Sequence, residues 1–323
     1  MTSIDQLRDI IENEIGKSFP PTAHHRLYDP IAYLMGLGGK RLRPIFCLLS
    51  AEMFGAQANK ALPAAMAVEI FHNFSLIHDD IMDDAPMRRG QSTVHEKWNV
   101  AQGILSGDAA LVLAYNQLMT LPEEHRWHAL QGFNKMALEV CEGQQLDMDF
   151  EIREDVRVED YLEMIRLKTS VLLATSLKTG ALIGGASPLD CALIYDFGIN
   201  LGLSFQLRDD YLDTFGDERI GKQIGGDILA DKKTYLLIRS NEKAGKEEAA
   251  VLNAYIGSTG QSAADKVHQV RSVMQKLKVD EDAEALSKKY YTEAMDMLEK
   301  VGVPDARKVQ IKSVSRSLLG RDR

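Results

Sequence analysis

An all-α fold is predicted by three features of the sequence. Residues 123–187 and 189–303 contain no proline. Ala, Leu, Met, Glu and Lys, which hold a helix at little cost, recur throughout. No segment alternates with the two-residue period of a half-buried strand. The chain has 323 residues, 45% of them apolar, enough for a sizeable core. It shows no flexible Gly/Ser linker and no short-period repeat, so one domain over 1–323 is the simplest organisation.

Taken in order, residues 2–17 form an acidic amphipathic first helix, unlike a signal peptide. Residues 18–30, with Pro20, Pro21 and Pro30, read as a connecting loop. In YLMGLGGKRLRP the glycines at 36, 38 and 39 break the helix, and Lys40, Arg41 and Arg43 follow. Pro44 suits the first turn of a helix running through Met53. The next helix covers 61–84, with Pro63 in its first turn and Pro86 stopping it near Asp84. Residues 88–99 are a polar loop; 106–119, 123–151, 158–183 and 189–213 are helices. The Gly-rich, charged stretch 214–234 is a loop, and amphipathic helices fill the rest, broken at 256–262 and Pro304.

Net charge is −9, which disfavours nucleic acid as a partner. No uninterrupted run of 18 apolar residues exists, so no membrane span is expected. Cys47, Cys141 and Cys191 are scattered in apolar contexts and read as buried free thiols of a reducing cytoplasm.

The segment 71–90, FHNFSLIHDDIMDDAPMRRG, is the electrostatic anomaly of the chain. Asp79, Asp80, Asp83 and Asp84 crowd the end of an apolar helix, where the macrodipole favours cations. Asp79 with Asp83, and Asp80 with Asp84, are like-charged i,i+4 pairs. A second D-D-x-x-D, with Asp209, Asp210 and Asp213, closes another apolar helix before Gly216. One such cluster is as well explained by a solvated acidic helix end; two point to hard divalent cations held by carboxylates and substrate phosphates. Basic residues at glycine-rich or loop positions suit phosphate: Lys40, Arg41, Arg43, Arg88, Arg89, Lys222, Lys232 and Lys233. Lys168 lies in the apolar run LKTSVLLATSL, where a snorkelling side chain is the alternative. His72, two turns before Asp79, and His78 could each be satisfied core histidines. No nucleophile elbow, zincin motif, P-loop or Rossmann fingerprint is present.

These residues resemble the polyprenyl synthase family, the trans-isoprenyl diphosphate synthases. HDDIMD (78–83) with RRG (88–90) is similar to the family's first aspartate-rich motif, and QLRDDYLDTFGD (206–217) to its second. GGKRLRP (38–44), KTS (168–170), GK (221–222) and DKKT (231–234) match further signatures in order. The likeness covers about 30–240 and implies a single helical bundle around a deep central cavity, as an isoprenoid synthase-like homodimer. It implies Mg²⁺, three ions per active site, bound through Asp79, Asp83 and Asp209, with Asp80, Asp210 and Asp213 in the same motifs. It implies Arg88, Lys168 and Lys232 as a cationic clamp on the allylic diphosphate, with Lys222 close by. Gly39, Lys40, Arg43, His72 and Arg89 match the site for isopentenyl diphosphate, and Thr169 and Gln206 the groups facing the carbocation. Many members have Gly where Asp231 stands, which leaves Lys232 and Lys233 to be distinguished.

The allylic partner implied is dimethylallyl, geranyl or farnesyl diphosphate. Ser75 is one turn below Asp79 and small; Phe74 is bulky but rotated about 140° from Asp79, so periodicity alone does not put it in a pocket. The family uses both positions as the floor that limits product length. Two residues separate Asp80 from Asp83, so the insertion common in bacterial farnesyl diphosphate synthases is absent. One aromatic without that insertion resembles the short-chain geranylgeranyl diphosphate synthases, which implies a C20 product, with C15, farnesyl diphosphate, as the alternative. A class I terpene cyclase would carry a different second motif and need no isopentenyl site, and a non-catalytic synthase subunit would be expected to lose one cluster.

Overall fold

The computed structural model describes residues 2–18, 25–216, 224–257 and 260–319. Its helices are, in order, α1 (Ile4–Ser18), α2 (His25–Gly36), α3 (Leu42–Phe54) and α4 (Ala58–Met82). A two-stranded hairpin, β1 (Met87–Arg88) and β2 (Gln91–Ser92), precedes α5 (Val94–Lys97), α6 (Val100–Met119), α7 (Glu123–Ile152) and α8 (Val158–Ile165). A π-turn over Arg166–Ser170 leads into α9 (Val171–Ile183), then α10 (Pro188–Phe215), α11 (Gly226–Leu229) and α12 (Tyr235–Lys243). The chain ends with α13 (Lys246–Tyr255), α14 (Ala263–Lys276), α15 (Val279–Lys300) and α16 (Asp305–Leu319). The all-α expectation holds, and among the described residues no helix is long and apolar enough to cross a membrane.

The residues cluster into two compact units. The first comprises Met1–Ala137, Leu172–Tyr195 and Lys300–Ile311; the second comprises Leu138–Val171, Asp196–Glu299 and Lys312–Arg323. In the first unit α4 is the central helix: Ala64 through Phe71 are consecutively buried, as expected for a helix packed on all sides. It packs against α3 on one side and α6 on another. The second unit gathers Phe150, Tyr161, Met164, Leu203, Leu207, Leu236, Val270 and Met274 into its core.

Several boundaries differ from the sequence reading. The expected loop at 18–30 is helical from His25, and α2 runs through Pro30. An interior proline costs about 3 kcal/mol. Ile31, Leu34 and Met35 are at most 1% exposed, and burying each contributes about 1.5–3 kcal/mol, so packing wins. Likewise α4 begins at Ala58, three residues early, which puts Pro63 inside the helix. It ends at Met82, with Asp84 in the left-handed region at φ 47°. The polar loop 88–99 contains the hairpin and α5, and α6 starts at Val100, where Asn99 Oδ1 accepts from Gln102 N at 2.8 Å. Cys47 and Cys191 are buried as expected, whereas Cys141 is exposed.

The π-turn is the least regular feature of the second unit. A Cβ on Gly143 of α7 would stand 2.3 Å from the Lys168 N, and one on Gly202 of α10 would stand 2.7 Å from the Ser170 Cα. Glycine at both positions lets two helix backbones close on the turn, which aims Lys168 and Thr169. Such single-turn π-bulges often mark functional positions.

Candidate active site

In the first unit a group of cations surrounds His72. Gly38 and Gly39 adopt φ of 74° and 146°, open to glycine without strain, and bring the chain to Lys40, Arg41 and Arg43. Arg89 donates to Gly38 O and lays its guanidinium over Gly39, where a Cβ would be 3.3 Å away. Arg43 Nη1 lies 3.1 Å from His72 Nε2. Arginine can only donate, so that nitrogen accepts and His72 is neutral with its proton on Nδ1. Burial and then Arg43, Arg89, Arg88 and Arg41 hold the His72 pKa well below the ordinary value. Burial also lowers Arg43, further depressed by Arg89, and lowers Arg89, further depressed by Arg41 and Arg88, while Glu69 supports both charges. Arg43 Nε is shielded from solvent and meets no hydrogen-bond partner among the described residues.

Arg41 belongs to the scaffold of this cluster, not to its open face. It is 3% exposed with φ 49°, and it binds Glu12 at 2.8 Å, Glu69 at 2.7 Å and Met35 O. Burial works against its charge, but the two carboxylates more than compensate, and its pKa is raised. Glu12 and Glu69 are functional supports that the sequence reading missed.

The first aspartate cluster occupies the C-terminal end of α4. Asp80 is 1% exposed and bound by Arg88 at three contacts between 2.6 and 2.9 Å. Burial raises the Asp80 pKa in spite of that arginine. Asp79 is half-buried, and Asp83 and Asp84 are exposed. Asp79 and Asp83 both act on Arg88 electrostatically.

The second unit holds a cavity of about 110 Å³ lined by Asp147, Tyr161, Lys168, Thr169, Gln206, Asp210, Asp227 and Lys232, among others. Inside it runs a polar chain. Thr169 Oγ1 donates to Gln206 Oε1 at 3.4 Å, Gln206 Nε2 donates to Asp210 Oδ1 at 2.9 Å, and the Tyr161 hydroxyl donates to Asp210 Oδ2. Burial first, then the charges of Asp227 and Asp209, push Asp210 up to about 8. Burial and Asp210 keep Tyr161 a phenol, its pKa well above the usual range. Lys168 Nζ pairs with Asp147 at 2.6 Å, so it is neither a core nor a purely snorkelling lysine. Asp213 Oδ2 accepts from Asp227 N at 2.9 Å. Asp209 is half-buried on the same helix end.

Lys232 and Lys233 take different roles. Lys233 Nζ donates to Phe150 O at 2.6 Å and to Arg153 O, covering the carbonyls at the end of α7. Lys232 is exposed and lines the cavity. Asp231 has φ 53° and pairs with Lys266 at 2.6 Å, so this chain fills a glycine-like conformation with an aspartate anchored elsewhere. Lys222 lies outside the described residues.

Asp147, Tyr161 and Asp227 were not anticipated. Tyr161 stands seven residues before Lys168, on nearly the same helix face, and that spacing was the one available hint. The chain-length pair is split by the fold. Phe74 is 8% exposed and packs tilted against Phe71 and edge-on to His78, at ring distances of 5.3 and 4.9 Å. Ser75 is half-buried and donates to His72 O at 2.9 Å.

Oxygen-only carboxylate clusters fit Mg²⁺. Among the described residues no three metal-binding side chains form a ready-made cage. Mg²⁺ asks for less: one or two carboxylates, with waters and substrate phosphates completing its shell. Burial lifts Asp210 first, and the charges of Asp227 and Asp209 that add to it are of the kind a divalent cation relieves.

Comparison with known proteins gives four findings of the same kind. The polyprenyl synthetase family model matches residues 24–274. The geranylgeranyl diphosphate synthase of Sulfolobus acidocaldarius is 38% identical over 304 residues, covering 92% of this chain and 90% of that protein. The geranylfarnesyl diphosphate synthase of Aeropyrum pernix is 36% identical over 290 residues, covering 87% and 89%. A crystal structure of a geranylgeranyl pyrophosphate synthase matches at 43% identity and a TM-score of 0.95, with 100% of both chains covered.

Proposed function

The chain belongs to the polyprenyl synthetase family, and from that premise we propose that it joins isopentenyl diphosphate to an allylic diphosphate, with Mg²⁺, to give geranylgeranyl diphosphate. Residues 1–323 would work as one synthase domain. The observation that carries the reading is the cluster around His72, where burial and Arg89 depress Arg43, burial with Arg41 and Arg88 depresses Arg89, and Arg43 Nε meets no partner among the described residues. A buried excess of positive charge suits a second diphosphate, which a terpene cyclase would not need.

Within this reading, Gly39, Lys40, Arg43, His72 and Arg89 bind isopentenyl diphosphate, Arg43 bidentately and His72 as the neutral group that steers it. Asp79, Asp83 and Asp209 are the direct Mg²⁺ ligands. Asp80 and Asp210 act from behind them, since Arg88, Tyr161 and Gln206 occupy their oxygens. Asp213 is similarly committed to Asp227 N. Arg88, Lys168 and Lys232, with Lys222, hold the allylic diphosphate. Mg²⁺, when bound as three ions, supplies charge neutralisation on the departing diphosphate. Lys168 and Lys232 donate to its oxygens as the C–O bond breaks. Thr169 Oγ1 and Gln206 Oε1 present oxygen dipoles to the allylic cation. The isopentenyl double bond then attacks, forming the C–C bond, and the proton lost from the adduct passes to the released diphosphate, so no side-chain base is required.

Relatives named for C20 synthesis support the product length, as does a bulky Phe74 on the floor. We also infer a homodimer in the cytoplasm. Leu105, Val112 and Met119 recur every seven residues on α6 and are 57%, 59% and 52% exposed, an apolar stripe suited to a second copy. Incubation with Mg²⁺, labelled isopentenyl diphosphate and each allylic diphosphate tests the activity. A C20 alcohol after dephosphorylation is expected; a cyclic hydrocarbon without incorporated label, or a dominant product beyond C25, would overturn it. Light scattering at 0.1–10 times the assay concentration, expected to read twice the 36.0 kDa chain mass, tests the dimer across a range of about a hundredfold.

A further inference from the structure

His78 makes contacts that the reaction itself does not call on. It sits on α4 one turn after Phe74, and the two rings meet edge-on with centroids 4.9 Å apart and an interplanar angle of 67°. Phe74 touches Phe71 on its other side at 5.3 Å, and Phe71 in turn meets Phe133 at 5.4 Å. The Phe74 ring is therefore bounded along α4 from both directions.

His78 is itself pinned from α6. Its Nε2 lies 3.1 Å from Ile104 O, which can only accept, so Nε2 carries the proton and donates. Asp108 Oδ1 stands 3.9 Å from the same nitrogen. The ring fills the notch over Gly107, where a Cβ would fall 2.2 Å from Nε2 and 2.4 Å from Cδ2. Beside it, a Cβ on Gly103 would meet Ile81 Cδ1 at 2.7 Å. Two glycines on successive turns of α6 thus admit two side chains of α4, and His78 is the one that also leans on Phe74.

We propose that His78 is a positioning residue for product length: seated in the Gly107 notch and tied to Ile104 O, it holds the Phe74 ring across the path of the growing prenyl chain. This rests on the reading of Phe74 as the floor. Without His78, or with the notch filled, Phe74 gains a rotamer that leaves room for additional C5 units. The effect travels through Phe74, so it disappears once Phe74 is removed.

The test compares products from the full chain with Mg²⁺, farnesyl diphosphate and labelled isopentenyl diphosphate for wild type, Phe74→Ala, His78→Ala, Gly107→Ala and Phe74→Ala/His78→Ala. His78→Ala and Gly107→Ala should each raise the ratio of C25-and-longer products to C20 by about two- to tenfold, the population change that loss of one edge-on ring contact allows. The double variant should give the same product distribution as Phe74→Ala alone, which a general loss of stability or of Mg²⁺ affinity would not produce. If His78→Ala does not fold, His78→Gln, which keeps an N–H for Ile104 O but lacks the ring, replaces it with the same expectation. A lengthened product from Phe74→Ala together with wild-type ratios from the His78 and Gly107 variants overturns this proposal alone. Unchanged lengths from Phe74→Ala overturn the floor reading beneath it.

Discussion

Replacing Gly202 by Ala should lower turnover far more than it lowers stability. The added Cβ would stand 2.6 Å from Ser170 Oγ and 2.7 Å from Ser170 Cα. Carbon atoms rest at about 3.5–4.0 Å, so the π-turn must retreat by roughly 1 Å. It has no slack to do so, because Gly143 approaches the Lys168 N from α7. Overpacking of this sort costs about 1–3 kcal/mol. Alanine inside a helix returns about 1 kcal/mol over glycine, leaving a net loss of about 0–2 kcal/mol. The same 1 Å displacement carries Lys168 and Thr169 with it, and a misplacement of that size costs on the order of a hundredfold in rate. Steady-state kinetics with each substrate varied, alongside urea unfolding, measures both effects. Gly132→Ala is the control: its Cβ would meet nothing within 4 Å, so it should be neutral or slightly stabilising and fully active. A folded Gly202→Ala enzyme within about threefold of wild-type turnover would refute the view that the π-turn sets the geometry of Lys168 and Thr169.

Three further outcomes are expected. His72 is held neutral in the folded chain with a pKa well below its ordinary 6.5, so the stability this contributes is present above pH 6.5 and is lost as pH falls from there toward the folded pKa; His72→Gln should flatten the slope of unfolding free energy between pH 7.5 and about 5.5, and an unchanged slope would contradict it. Lys233→Met should cost about 1–3 kcal/mol by uncovering the carbonyls of Phe150 and Arg153 while sparing the KM for the allylic diphosphate, whereas Lys232→Met should raise that KM and leave the urea midpoint in place. Glu69→Gln breaks a pair whose side chains are 4% and 0% exposed and should destabilise by about 3–5 kcal/mol in chemical denaturation; a loss under 1 kcal/mol would mean Glu12 alone holds Arg41.

The helices and the charged motifs were legible because their causes are local. Asp79–Asp84 and Asp209–Asp213 announce themselves by like charges at helix ends, and the fold keeps both at the ends of α4 and α10. Pro30 misled the reading of 18–30 because propensity is a property of one residue, whereas Ile31, Leu34 and Met35 gain their burial from the rest of the first unit. Asp231 stands out in the sequence as a departure, but its left-handed conformation and its pairing with Lys266, 35 residues on, could not be read there. The polar partners are lost for the same reason: Arg41 finds Glu12 and Glu69, Lys168 finds Asp147, and Tyr161 finds Asp210 across separations of 21 to 49 residues. The π-turn escapes too, since one extra residue in an apolar helix leaves the periodicity nearly unchanged.

The pKa shifts at His72 and Asp210 run opposite to those of the ion pairs that hold the fold. Ion pairs that hold the fold stabilise the charged forms: Arg41 is raised by Glu12 and Glu69, Arg239 is raised by Glu242 and Asp282, and Glu163 is lowered by Arg166. Around His72 and Asp210 the sense reverses. Burial and four arginines drive His72 toward neutrality, and burial with Asp227 and Asp209 drives Asp210 the same way. A purely structural network has no reason to concentrate like charges where water is scarce, because every tenfold bias against a group's charged form costs about 1.4 kcal/mol. The two sites have opposite signs, cationic in the first unit and anionic in the second, and each is relieved by a ligand of the complementary sign. A diphosphate answers the first and a divalent cation the second. The substrates of a prenyl diphosphate synthase bring the diphosphate, and its metal ions bring the charge that the carboxylates lack. The electrostatic strain is thus the part of the chain that anticipates its ligands, and it should diminish when they bind: Mg²⁺ with inorganic diphosphate should raise the unfolding temperature together by more than either does alone.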